Sequence, residues 1–196
     1  LGGAVFETDE VTAGILISHF DFPPLPHNDF VQFAHPARIW LGFQLPESYK
    51  IMPAFPLAIA GVSLLVPHDP TLLHSCEIVV LVSALVFLFF FWLIVRRVLP
   101  HLWPVMLIFV VINPYFLEFS LQTLMEMFIL SSFTVTLWAC SRRTEWSALP
   151  AAWTSLTRYD SVFVVPLAGF FQFWNGGKKV RALIVTILAG TPFVIW

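Results

Sequence analysis

Residues 78–95 read "IVVLVSALVFLFFFWLIV" and contain no charged residue. At 1.5 Å per residue an α-helix over this run is about 27 Å long, close to the hydrocarbon thickness of a bilayer. The run therefore predicts a transmembrane helix, and "RRVLPH" (96–101) stops it. Composition agrees. Of 196 residues, 58% are hydrophobic and 11% charged, with mean hydropathy +0.83. An ordinary soluble domain is about 25% charged. This much apolar surface does not fit into a water-soluble core, so the sequence predicts an integral membrane protein. A net charge of -2 without a basic tract argues against nucleic acid as a partner.

Residues 1–50 differ from the rest. They hold six of the twelve acidic residues against two basic ones, and "FDFPPLPHNDF" (20–30) is too rich in proline for a continuous helix. The expectation is a long loop with short helices, followed by a transmembrane region over 51–196 with about six apolar segments. The first of these, "PAFPLAIAGVSLLV" (53–66), is too short for a full span. After the run at 78–95 come 102–112 and 123–140. Asn113-Pro114 marks a turn between them, because a residue before proline resists the helical region. Leu1 in place of Met, and Trp196 inside an apolar run, suggest a fragment of a longer protein.

The basic residues set the expected topology. Seven of ten lie in three short loops: Arg96 and Arg97; Arg142 and Arg143; Lys178, Lys179 and Arg181. Short basic loops stay cytoplasmic. Each pair of loops must then be joined by an even number of crossings. The stretch "PAAWTSLTRYDSVFVVP" (150–166) must go out and come back, turning at Arg158-Tyr159-Asp160. Both limbs are shorter than a span, so the turn is expected below the outer surface, in a cavity within the protein. An ionisable pair there suggests a functional site; the plainer alternative is that the two charges only pair and cap. The same parity puts 67–77 and the acidic first loop outside. Cys76 and Cys140 fall on opposite sides and show no metal spacing. Trp103, Trp138, Trp146 and Trp174 lie near helix ends, as interfacial aromatics do.

Three stretches carry a resemblance to a known family: "DFVQFAHPARIWLGFQLP" (29–46), "KIMPAFPLAIAG" (50–61) and "SLTRYDSVFVVP" (155–166). In order, spacing and topology they resemble the GT-C superfamily of membrane glycosyltransferases, in the protein O-mannosyltransferase and aminoarabinose-transferase-like branch. The resemblance implies an all-α polytopic helical bundle with a long extracytoplasmic first loop. It also implies transfer of a hexosyl or pentosyl group, with inversion, from a polyprenyl-phosphate sugar to a lipid, glycan or protein hydroxyl. The active site would face the outside of a bacterial inner membrane. The family generally has one transmembrane helix before the first loop, which residues 1–28 do not supply.

Glycosyl transfer needs a base for the acceptor proton and cations for the phosphate leaving group. Asp29 is the first candidate base: it opens an Asp-x3-Phe-x3-Ala run that places Asp29, Phe33 and Ala37 on one helical face, though Pro36 is expected to interrupt that helix. An N-cap role is the alternative. Asp9 and Glu10, in "FETDEV" (6–11), resemble the acidic pair of mannosyltransferases and are the rival bases; a solvated acidic loop is the plainer reading. Arg158 is the candidate phosphate ligand, because a guanidinium grips phosphate oxygens bidentately. Asp160 would orient it, and Tyr159 lies between them. Lys50, three residues before Pro53, resembles a lipid-phosphate lysine of the family, or snorkels to the interface. Glu126, one turn inside a helix, is a further substrate-facing candidate. The hydroxyls that follow it, Ser131, Ser132, Thr134 and Thr136, are expected to bond to backbone or to neighbouring helices. The prolines among His27, Asp29 and His35 leave no regular ligand geometry, so no metal is assigned. A transporter or lipid flippase is the rival reading, since broken helices and midplane charges occur there too.

Overall fold

The computed structural model describes residues 28–42, 51–66, 69–142, 145–176 and 179–196. Asp9, Glu10 and Lys50 lie outside them, as does most of the acidic first segment, and of Asp29 only the backbone is described. The described residues are all-helical. The order is α1 (Asn28–Leu41), α2 (Ala54–Ser63), α3 (Leu73–Val98), α4 (Trp103–Val111), α5 (Pro114–Leu121), α6 (Glu126–Ser141), α7 (Ala148–Ser155), α8 (Val164–Gly176) and α9 (Lys179–Ile195). Short 3₁₀ turns, Glu145–Ser147 and Tyr159–Phe163, precede α7 and α8.

The uncharged run at 78–95 forms the middle of α3, whose 26 residues span about 39 Å. It is long and apolar enough to cross a membrane. A core helix of a soluble protein would be mostly buried, but only 33% of its most apolar window is. Ile78, Leu81, Val82, Leu85 and Phe89 stay exposed. The bent pair α4–α5 qualifies as a second span if it is taken as one, whereas α2 and α6 are shorter apolar helices. Neither α4 nor α5 has a buried residue. Soluble monomers seldom expose a contiguous apolar surface on this scale.

The expected turn at Asn113-Pro114 is present. Asn113 Oδ1 accepts from Tyr115 N at 2.9 Å and from Phe116 N at 3.4 Å. Pro114, which has no N–H to satisfy, sits at the first helical position. The two helices meet at 60°. A second break, at Gln122–Met125, separates α5 from α6, which covers most of the expected segment 123–140.

Contacts along the bundle fix its two ends. Trp92–Trp103 and Phe87–Phe116 ring contacts show α4 and α5 returning along α3. α6 then runs parallel to α3: Cys76 Sγ meets the Thr123 carbonyl at one end, and Arg97 Nη1 donates to the Ser141 carbonyl at the other. α7 and α8 form the expected hairpin, with Gln172 Nε2 donating to Ser147 Oγ at 2.9 Å near its open end. α9 brings Phe193 against Tyr159 and Trp196 onto Trp40. Arg96, Arg97, Arg142, Lys179 and Arg181 therefore share one end, here the basic end. Asp69, Glu77, Glu126 and Asp160 share the other, the acidic end. Cys76 and Cys140 are free and buried towards opposite ends.

Helix packing explains two further features. α8 and α9 approach closely through Ala168, Gly169, Val185 and Ala189; a methyl group at 169 would run into Thr186 Oγ1. Small residues at such a contact let two helix backbones come close together. α1 is continuous through Pro36, contrary to the expected interruption. Proline removes a backbone hydrogen bond at a cost of about 3 kcal/mol, but Phe30, Phe33, Ala34 and Ala37 are buried. Phe33 packs edge-on to Phe55 of α2 at 5.1 Å. Burial of that face offsets the lost bond.

Candidate active site

The acidic end is assembled on the hairpin turn, the N-termini of α2, α3 and α6, and the C-termini of α1 and α9. The "LTRYD" stretch has a division of labour. The Leu156 carbonyl accepts from Ala54 N at 3.1 Å, which ties the end of α7 to the start of α2. Thr157 is buried; its hydroxyl donates to the Thr154 carbonyl at 2.7 Å, and its Oγ1 lies 3.2 Å from Ser161 Oγ, whose hydroxyl can donate to it. Ser161 N donates to the Arg158 carbonyl at 2.9 Å. These bonds hold Arg158 in extended backbone (φ -155°, ψ 150°) at the tip. Its Nε lies 3.2 Å from Asp160 Oδ2.

The expected pairing of Arg158 with Asp160 is thus present, but its expected burial is not. The two side chains are 50% and 78% exposed. The Leu156–Ala54 bond sets the turn level with the start of α2, so among the described residues the pair stands at the surface rather than inside a cavity. Exposed pairs of this kind contribute at most about 1 kcal/mol, so the pair positions the guanidinium more than it stabilises the fold. Tyr159 is also exposed, its ring nearly perpendicular to that of Phe193 with centroids 6.3 Å apart.

Glu126 begins α6, where the helix dipole favours a carboxylate. Its Oε2 is buried and has no hydrogen-bond partner. The neighbouring Met127 and Phe128 are core residues, and Phe128 packs on Phe55 and Trp153. The hydroxyls beyond it are structural, as expected: Ser131, Thr134 and Thr136 donate to the carbonyls of Phe128, Leu130 and Ser132. Thr136 Oγ1 also meets Thr154 Oγ1 at 2.9 Å.

Asp29 is the second residue of α1, in register with the buried Phe33 and Ala37. At the far end of α1, Arg38 Nη2 donates to the Pro70 carbonyl at 3.1 Å. Trp40 stacks on Trp196 with ring centroids 5.7 Å apart, and the Trp40 indole nitrogen is buried without a partner. His35 is exposed, and no group of three His, Cys, Asp or Glu gathers among the described residues.

Asp69 was not among the residues that sequence reasoning singled out. Its buried carboxylate accepts from Ser75 N at 2.7 Å and from Ser75 Oγ at 2.6 Å, and Thr71 Oγ1 lies 3.4 Å from its other oxygen. It caps α3 from three residues before Leu72, which occupies the left-handed region at φ 63°. That conformation costs a non-glycine residue roughly 1–2 kcal/mol. Burial opposes ionisation of Asp69, but the Ser75 hydrogen bonds and the His74 charge outweigh it and hold the carboxyl below its ordinary value. The only sequence signal was "D-x5-S" before an apolar run, which falls outside the ordinary capping spacing.

Asp69→Ala is expected to lower unfolding stability by about 2 kcal/mol, through loss of charge-assisted bonds and of the cap. Tryptophan-monitored unfolding in detergent measures this. Because the folded carboxyl is depressed, its stabilising effect is complete above the unfolded carboxylate value. It is lost as pH falls through the lower, folded one. The gap between wild type and variant should hold from pH 7 to about 5 and close only below about 4. A gap that is constant down to the lowest pH would remove the carboxylate from this role.

No protein-family model, no curated protein and no solved structure matches the chain.

Proposed function

We propose that the chain is part of a polytopic membrane glycosyltransferase of the GT-C kind, seated in a bacterial inner membrane with its acidic end outward. It would transfer a sugar from a polyprenyl-phosphate donor to an acceptor hydroxyl. One observation carries the reading: Arg158, the start of α6 with Glu126, and the C-terminal part of α1 gather at the end of the bundle opposite the basic clusters. Under the positive-inside rule that end faces away from the cytoplasm, where a lipid-linked donor would be used.

In the proposed reaction the acceptor oxygen attacks the anomeric carbon directly. A carboxylate takes the acceptor proton, the bond from anomeric carbon to phosphate oxygen breaks, and polyprenyl phosphate leaves with inversion. Asp29 is the proposed base, with Asp9 or Glu10 as its rivals. Arg158, oriented by Asp160, would hold the phosphate oxygens, with Lys50 assisting. Tyr159 and Glu126 would border the sugar or acceptor. The 60° break between α4 and α5 is the feature that favours a transporter or flippase instead, since such proteins use discontinuous helices.

Membranes holding the chain, incubated with a radiolabelled polyprenyl-phosphate sugar, are expected to pass label to a hydroxyl acceptor. Arg158→Ala should weaken donor binding about tenfold or more, the scale of a lost charge-assisted contact, while the acceptor KM moves less than about twofold. Movement of intact donor across the bilayer without covalent transfer would support the transport reading instead.

A further inference from the structure

Where α3 and α6 end side by side at the basic end they leave a cavity of about 290 Å³, lined by Leu93, Arg96, Arg97, Trp138, Ser141 and Arg142. Three guanidiniums in one small cavity repel one another unless something negative joins them. None of the three forms an ion pair with a described carboxylate. The two helix C-termini together supply roughly one negative charge, so among the described residues about two positive charges remain uncompensated. The arginines are exposed and therefore reachable.

Their orientations are set beforehand. Arg96 Cζ lies 5.5 Å from the Trp92 ring centroid and Arg142 Cζ lies 5.2 Å from that of Trp138. A cation–π contact of this kind leaves most N–H groups of the guanidinium free to donate. Arg97 uses one N–H on the Ser141 carbonyl at 3.2 Å and retains the others. The side chains are thus held in place with most donors unspent, as tetrahedral oxyanion recognition requires.

We propose that this cavity binds the phosphate of an anionic phospholipid headgroup, on the membrane face opposite the candidate active site. A cavity below the usual range of about 300–1,000 Å³ suits a headgroup rather than a whole lipid. The acyl chains would leave past apolar surface: Val98, Leu99 and Leu102 are exposed just beyond the arginines. A free phosphate ion would have no use for that border. Basic pockets between helices on the cytoplasmic side are built for such headgroups.

The test uses the chain purified in neutral detergent, with phosphatidylglycerol or phosphatidylcholine added and retention read by native mass spectrometry. Phosphatidylglycerol is expected to be retained at least about tenfold better. Two variants probe the cavity. Leu93→Trp fills it and leaves every charge in place. The triple Arg96→Lys, Arg97→Lys, Arg142→Lys variant keeps the charges that govern insertion and removes the fork geometry. Each is expected to reduce phosphatidylglycerol retention about tenfold, while carbonate extraction reports unchanged membrane insertion. Equal retention of the two lipids by wild type, or undiminished retention in both variants, would overturn the proposal. Competition by inorganic phosphate without any phosphatidylglycerol binding would assign the cavity to a free anion and overturn it as well. None of these readouts involves glycosyl transfer, so the headgroup site and the proposed activity fail separately.

Discussion

A cysteine introduced at position 158 is expected to react with a membrane-impermeant maleimide from the extracytoplasmic side, and cysteines at 97 or 142 only after the membrane is permeabilised. The contrast should be nearly all-or-none. Arg97 and Arg142 lie at the same end of the bundle, joined by the Arg97–Ser141 bond and the shared cavity. The hairpin turn lies at the other end, joined to the start of α2. Arg96, Arg97 and Arg142 line one cavity at this end, and Lys/Arg bias in short loops sets orientation, so the reversed topology is disfavoured. The exposure of Arg158 makes its position a good labelling site, and the native Cys76 and Cys140 are buried and should stay silent. Labelling of position 158 only after permeabilisation would place the candidate site in the cytoplasm and remove the basis for a lipid-linked donor reaching it from outside.

What could be read from the residues, and what could not, follows from the range of the forces. The apolar run at 78–95 and the cap at Asn113-Pro114 are local: the first is set by side-chain transfer free energy, the second by one side chain and one missing N–H. The grouping of the basic clusters followed from loop charge and parity, and the contacts of Arg97 and Gln172 agree with it. Pro36 was misjudged because its cost is local and its compensation is not; the offset lies in the packing of α1 on α2. The burial of Arg158 and Asp160 was misjudged for the same reason: limb length was legible, but the Leu156–Ala54 bond that sets the depth of the turn joins residues about a hundred positions apart. Asp69 was missed because its ligands become neighbours only once Leu72 adopts its left-handed turn. At the candidate site the cation and its partner were legible from "LTRYD" alone. The role of Thr157 and Ser161 in holding them was not, since a buried threonine in an apolar stretch reads like any other.

Asp29→Asn is expected to lower the rate of sugar transfer by about 10²–10⁴-fold, the usual contribution of a general base, with little change in KM or in membrane insertion. Asparagine suits this test because it separates the two roles open to the residue. At the second helical position a purely structural Asp29 gains only from the helix dipole, so it would tolerate the change with a loss of at most about 1 kcal/mol. As a base asparagine is useless. A fall in rate at unchanged unfolding temperature therefore isolates proton transfer. The position of residue 29 on α1 makes the comparison fair. It precedes the buried Phe33 and Ala37 by one and two turns, so the helix that carries it is anchored by packing. Asp9→Asn and Glu10→Gln, made in parallel, assign the base if transfer survives at position 29, for only the true base should give a loss on that scale. Glu126→Gln serves as the control: its unpartnered buried oxygen sits on the core-packed start of α6, and a bordering role predicts a change in KM greater than that in kcat. Wild-type transfer in Asp29→Asn, Asp9→Asn and Glu10→Gln alike would mean that no carboxylate of the acidic first segment takes the acceptor proton.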